Sequence, residues 1–207
     1  MCNLYRMTGA AQAIAQLFAA DTGGRNLPAM PEIYPDQMAP VIVAHAGGRT
    51  LEMMQWGWPP FGQVKRPITN VRNLHSPLWR GALANPAQRC LVPVTEFSEW
   101  SQTADPATGR KTKHWFALGD DPLFAFAGLW RQTEHGPRFA FLTCEPNETV
   151  GRVHPKAMPV ILRAGDEAER WLTADGAGAA AMQRALDDAL IHEVEIPDPP
   201  GPQASLL

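Results

Sequence analysis

Short apolar runs bounded by Gly, Pro and polar clusters dominate this chain, the pattern that strands leave in a sequence. Residues 41–45 (VIVAH) and 51–58 (LEMMQWGW) predict two strands joined by a turn at Gly47 and Gly48. Further runs at 90–97 (CLVPVTEF), 114–118 (HWFAL), 124–130 (FAFAGLW), 138–143 (RFAFLT) and 158–163 (MPVILR) predict five more. The polar stretch 103–112 (TADPATGRKT) reads as an exposed hairpin loop. Helices are expected at 9–20 (GAAQAIAQLFAA), 166–172 (DEAERWL) and 179–190 (AAAMQRALDDAL), with a short one at 146–152. The Gly23-Gly24 pair with Pro28, Pro31 and Pro35 marks an irregular segment. From Pro59 to Pro86 frequent prolines predict long loops with one helical turn near Trp79. Loops of that length inside a compact domain usually carry function. Strands that do not alternate regularly with helices indicate an α+β fold built on a mainly antiparallel, barrel-like sheet with flanking helices.

With 207 residues, 45% of them hydrophobic, the chain can bury a sizeable core. No internal repeat or linker divides it, so a single domain over 1–195 is expected, followed by a disordered Pro-rich tail at 196–207. The segment 9–20 is interrupted by two Gln and reads as an amphipathic helix rather than a signal peptide. No apolar run approaches the roughly 18 residues that would cross a membrane. Cys2, Cys90 and Cys144 lie far apart with no CxxC, which argues for a reducing compartment. A cytoplasmic monomer without membrane attachment is expected.

The net charge of −3 argues against nucleic acid until its distribution is considered. Residues 1–90 carry 8 Lys and Arg against 4 Asp and Glu, whereas residues 91–207 carry 10 against 17. Residues 53–95 hold no carboxylate, but do hold Lys65, Arg66, Arg72, Arg80 and Arg89, interleaved with Trp56, Trp58, Phe61 and Trp79. Cations neutralise phosphates and flat rings stack on unpaired bases, so such a tract suits single-stranded nucleic acid. It is equally compatible with core aromatics beside an ordinary solvated face.

Four residues carry candidate chemistry. Met1 is followed at once by Cys2, and a small second residue is the usual condition for removal of the initiator Met. The exposed product is a 1,2-aminothiol, whose amine and thiol both approach their nucleophilic forms near neutrality and together close an aldehyde into a thiazolidine. Glu99 follows an apolar strand and adjoins Trp100; it either points to water or has a raised pKa suited to proton transfer. His154, stiffened by Pro155, is a second candidate acid or base, or simply an exposed loop histidine. The Asn70 amide either orients a sugar or imine or makes local backbone bonds. GxSxG, HExxH, P-loop and GxGxxG motifs are lacking, and His45, His75, His114, His135 and His192 show no metal-ligand spacing. No metal and no cofactor is expected.

Read together, the start MC, WGW at 56–58, TNVRN at 69–73, RCLVP and FSEW within 89–100, FAFAGLW at 124–130 and HPKAMPVIL at 154–162 resemble the SRAP family of SOS-response-associated peptidase-like proteins. Each block is weak; their order and the Cys at position 2 make the set specific. The resemblance implies covalent capture of abasic sites in single-stranded DNA by a thiazolidine crosslink, which protects the strand during the DNA damage response. It implies Cys2 as nucleophile, Asn70 placing the opened sugar, His154 protonating and helping to open the deoxyribose ring, and Glu99 handling protons at the Cys2 amine and assisting reversal. It also implies Arg72 on backbone phosphate, Trp56 supporting the strand where it bends, and a nucleoid-associated location when DNA is bound. Two departures bear on DNA affinity. Asn3-Leu4-Tyr5-Arg6 replaces the common Gly-Arg after Cys2, so Arg6 either substitutes for an early phosphate contact or that contact is lost. HPKAMP replaces HxRMP, with Lys156 standing in for an Arg. The alternatives are a thiol peptidase or autopeptidase using Cys2 and a non-covalent single-strand-binding module.

Overall fold

The computed structural model describes residues 2–60, 65–119 and 121–194; Met1, Phe61 and the expected tail at 196–207 lie outside the described residues. In chain order the elements are β1 (Tyr5–Met7), α1 (Ala11–Phe18), β2 (Ala20–Asp21), β3 (Met30–Ile33), β4 (Met38–His45) and β5 (Gly48–Trp56). Next come β6 (Asn70–Val71), α2 (Pro77–Ala84), β7 (Arg89–Val94), β8 (Glu96–Ala104), β9 (Lys111–Leu118), β10 (Phe124–Thr133) and β11 (Gly136–Cys144). The chain continues through α3 (Glu148–Val153), β12 (Met158–Pro159), β13 (Ile161–Leu162), α4 (Asp166–Thr173), α5 (Gly176–Ala180) and β14 (Ile191–Val194).

Strands β11, β10, β7, β4 and β5 pair successively as antiparallel neighbours. A parallel pairing of β11 with β5, Arg138 opposite Gln55 and Phe139 opposite Trp56, closes them into a five-stranded barrel. The fold is thus the α+β, barrel-like arrangement expected from the strand pattern. A second sheet of order β14-β9-β8-β1-β3 lies beside it. Between the two, aromatic rings interlock: Trp56 stacks on Phe141 at 5.1 Å, and Tyr5 meets Trp56 edge-on at 5.2 Å and Phe126 at 5.9 Å. Tyr5 is wholly buried, so the first strand is pinned into the core only three residues after Cys2.

The chain departs from the sequence expectation at points where one apolar run serves two partners. The run 90–97 is two strands, because at Thr95 the backbone leaves the barrel and donates its amide to the Arg6 carbonyl at 2.9 Å in the second sheet. The run 158–163 also divides. Val160 donates its amide to the Leu142 carbonyl of β11, and its carbonyl accepts from the Ala127 amide of β10. The helix expected over 179–190 stops at Ala180. Beyond it the Gln183 amide bridges the carbonyls of Arg72 and Thr143, both at 2.8 Å, so tertiary bonds replace helical ones. The turn near Trp79 is a longer helix, α2, whose start is fixed by a Ser76 cap and by Pro77 at its first position.

Among the described residues no helix is long and apolar enough to cross a membrane.

Candidate active site

The second sheet is what carries the start of the chain to the chemistry. Ser98 donates its amide to the Leu4 carbonyl at 3.0 Å, and β1 pairs with β8 through Tyr5 opposite Phe97. Cys2 is left with no exposed surface, its Sγ 3.6 Å from the Leu4 carbonyl oxygen and 3.9 Å from that of Ser98. Burial, reinforced by the charge of Glu99, pushes the Cys2 thiol well above its ordinary range, so the resting group is S–H.

Asn70 reaches Cys2 from the opposite side. Strand β6 lies parallel to β11, with Asn70 opposite Phe141, and the Trp56 indole donates to the Thr69 carbonyl at 3.2 Å just before it. Held there, the Asn70 amide donates to the Cys2 carbonyl at 2.9 Å and to Thr69 Oγ1 at 2.8 Å. Its own Oδ1 is buried and, among the described residues, has no hydrogen-bond partner. A buried acceptor left open beside a nucleophile is an unmet demand for a donor.

Glu99 and His154 complete the arrangement. Glu99 sits on β8 immediately after Ser98 and is 2% exposed. His154 follows α3, a helix started by the Asn147 side chain accepting from the Val150 amide. Pro155 confines His154 to an extended backbone, φ −133° and ψ 84°, which ends the helix and turns the ring toward the sheet. His154 Nδ1 lies 3.8 Å from Glu99 Oε2. A cleft of about 240 Å³ opens beside the pair, lined also by Trp100, Gln102, Lys111 and Lys156.

Burial drives the Glu99 carboxyl up to about 7, against the opposing charge of the chain's amino terminus. Burial also drives His154 down to about 4, helped by the amino-terminal charge and by the cations of Lys156 and Lys111. Below about pH 7 the carboxyl keeps its proton, and above about pH 4 the imidazole is neutral and available as a base. In the unfolded chain the order is reversed, with ordinary values of 4.5 for Glu and 6.5 for His. Between about pH 4.5 and 6.5 both states bind one proton on this pair, so its contribution to stability is flat there. Single substitutions unmask the two halves. With Glu99→Gln, the unfolded state binds more protons than the folded one, and stability is expected to rise with pH between about 4 and 6.5. With His154→Phe, the folded state binds more, and stability is expected to fall as pH climbs from about 4.5 to 7. Urea unfolding across that pH range checks both slopes; two flat profiles would contradict the proton placement.

The structure brings Cys2, Asn70, Glu99, His154 and Lys156 to one place, with Arg72 two residues beyond Asn70. Arg72 is ion-paired with Glu145, and its Nη1 is buried without a hydrogen-bond partner. One expectation needs correction. Trp56 has no exposed surface and is a core ring that fixes the Thr69–Asn70 backbone, so it cannot stack on a base. Arg6 is already engaged, its guanidinium 2.6 Å from Glu96, bonded to the Pro31 carbonyl and lying 3.6 Å from the Trp115 ring centre. Lys111 was not among the expected site residues. Its only signal was its place at the end of the polar hairpin, which reads as an ordinary exposed loop.

Comparison with known proteins bears on the family and the fold. No curated protein matches the chain. Among solved structures, a protein from Bacteroides thetaiotaomicron superposes with a TM-score of 0.76 at 20% identity, over 93% of this chain and 90% of that one. A Bordetella bronchiseptica protein gives 0.74 at 20% identity, covering 94% of this chain and 100% of that one. A phage-related protein from Bordetella bronchiseptica gives 0.73 at 19% identity, covering 95% and 94%. At such identities the likeness is one of fold. The family model described as SOS response associated peptidase matches residues 1–196, and the chain therefore belongs to the SRAP family.

Proposed function

We propose that this protein captures abasic sites in single-stranded DNA covalently, with Cys2 as the amino-terminal residue once Met1 is removed. The observation that carries the reading is the convergence, from three distant parts of the chain, of Asn70, Glu99 and His154 on the buried second residue.

An abasic sugar rests mainly as a closed hemiacetal, and opening it requires a proton to reach the ring oxygen while the hydroxyl on C1′ loses one. Glu99, protonated near neutrality, donates; His154, neutral at the same pH, accepts. The Cys2 amine then adds to the C1′ aldehyde, and the carbinolamine loses one water to give an imine. The thiol adds across that C=N bond: sulfur bonds to C1′ and its proton passes to nitrogen. One water is released overall. The amine and thiol belong to one residue, so ring closure is intramolecular and has a high effective molarity. The open Oδ1 of Asn70 offers an acceptor for the Cys2 ammonium or a sugar hydroxyl. Removing the aldehyde blocks the β-elimination that would cut the strand.

The test is a denaturing gel of the protein with abasic and intact oligonucleotides of one sequence. A heat-stable shifted band is expected with the abasic strand alone. No band with either strand would sink the proposal. A second reading, a thiol peptidase with His154 activating Cys2, draws on the family's description as a peptidase. Hydrolysis of peptides in the absence of DNA would favour it.

A further inference from the structure

Lys111 and Lys156 are the cations of the cleft, and they differ from the charges around them. Arg6 holds Glu96, Arg72 holds Glu145, and Lys113, two residues from Lys111 on β9, holds Glu32 at 3.2 Å. Among the described residues Lys111 and Lys156 have no carboxylate within ion-pair distance. They reach the same cleft from different elements, Lys111 from the start of β9 and Lys156 from the loop after α3.

The local backbone explains how Lys111 arrives there. Trp100 is opposite Lys113, yet the next pairing is Ala104 opposite Lys111, so β8 carries extra residues against β9. Bulges of this kind bend the strand and re-aim side chains, and they concentrate beside active sites. The Ser101 hydroxyl fixes this one by donating to the Thr103 carbonyl at 2.7 Å and accepting from the Thr112 amide at 3.0 Å. Ser101 and Gln102 thereby line the cleft, with Lys111 across from them.

We propose that Lys111 and Lys156 together form a phosphodiester-binding subsite at the rim of this cleft, seating the backbone phosphate beside the captured sugar. The inference rests on the DNA-capture reading above and extends it to a residue pair and a consequence. The charged and titratable groups facing His154 are Glu99 from β8, Lys111 from β9, Lys156 from its own loop and the chain's amino terminus. A phosphate on the two lysines cancels cations that otherwise oppose a proton on His154. Burial still holds the imidazole's pKa down, but loading a proton onto it becomes easier when a strand is in place.

The experiment uses an intact oligothymidylate, which has phosphates but no abasic sugar, with the full chain, Lys111→Gln and, as a control on the same strand, Lys113→Gln. Fluorescence anisotropy over a salt series should show weaker binding for Lys111→Gln, with a salt slope shallower by about 0.7, one phosphate contact on a single strand. Lys113→Gln should match the wild type. An NMR titration should show the oligonucleotide raising the His154 pKa in the wild type and raising it less in Lys111→Gln. Unchanged affinity and slope for Lys111→Gln, or no measurable binding of the wild type at low salt, would overturn the subsite. An equal rise in both proteins would overturn the proton loading. If the subsite results hold but the wild type forms no adduct with an abasic strand, the capture reading fails and the phosphate site stands.

Discussion

Cys2→Ala is expected to eliminate every adduct that survives heating when the protein meets an abasic single strand. Alanine in second place still permits removal of Met1, so the variant keeps an α-amine and forms the imine. It lacks the sulfur that would close the ring, and an open imine hydrolyses. Borohydride, which reduces C=N, should therefore trap an adduct in the variant that heating alone destroys. The loss of heat-stable product should reach about three orders of magnitude or more, because no external thiol matches the effective concentration of one on the same residue. The substitution removes a single buried sulfur and leaves the Asn70 bond to the backbone carbonyl of residue 2 in place, so the fold is retained. A heat-stable adduct from Cys2→Ala in undiminished yield would refute the thiazolidine.

Trp56→Ala should have the largest effect on stability, a loss of about 3–5 kcal/mol, as for other fully buried aromatic residues. The ring stacks on Phe141 and meets Tyr5 where the barrel and second sheet join, so its removal leaves a void between them. Its indole also carries the Thr69 carbonyl, so the damage should extend to Asn70 and to adduct formation. Trp56→Phe separates the two roles. It keeps part of the packing but loses the N–H and the smaller ring of the indole, and should cost less than the alanine change while slowing crosslinking. Urea midpoints and initial crosslinking rates measure the two effects. Normal capture kinetics in Trp56→Phe would mean that the Thr69 contact does not position Asn70.

The barrel strands were legible because each is a continuous apolar run facing a core. The β4–β5 hairpin announced itself by VIVAH, LEMMQWGW and the glycines between them. The short strands were not legible. β1, β6 and β14 have 3, 2 and 4 residues, too few for any periodicity, and their pairing is decided by long-range partners. The core of the site was visible because Cys2, Asn70, Glu99 and His154 are unusual in their local settings. The states of Glu99 and His154 were only half visible. An apolar neighbourhood suggested a raised carboxyl, but the depressed imidazole depends first on burial in the folded chain and then on charges that include Lys111, 43 positions away in sequence. The surroundings of Trp56 and Arg6 were hidden for the same reason. Sequence supplies a ring or a cation, while burial beneath Tyr5 and pairing with Glu96 belong to the folded chain.

The most direct test of the account is the intact mass of the purified adduct, followed by mapping of the attachment point. The expected mass is that of the chain without Met1 plus the abasic oligonucleotide less one water, with the DNA remnant on Cys2. An adduct on a chain that retains Met1, or one attached through any other residue, would contradict it.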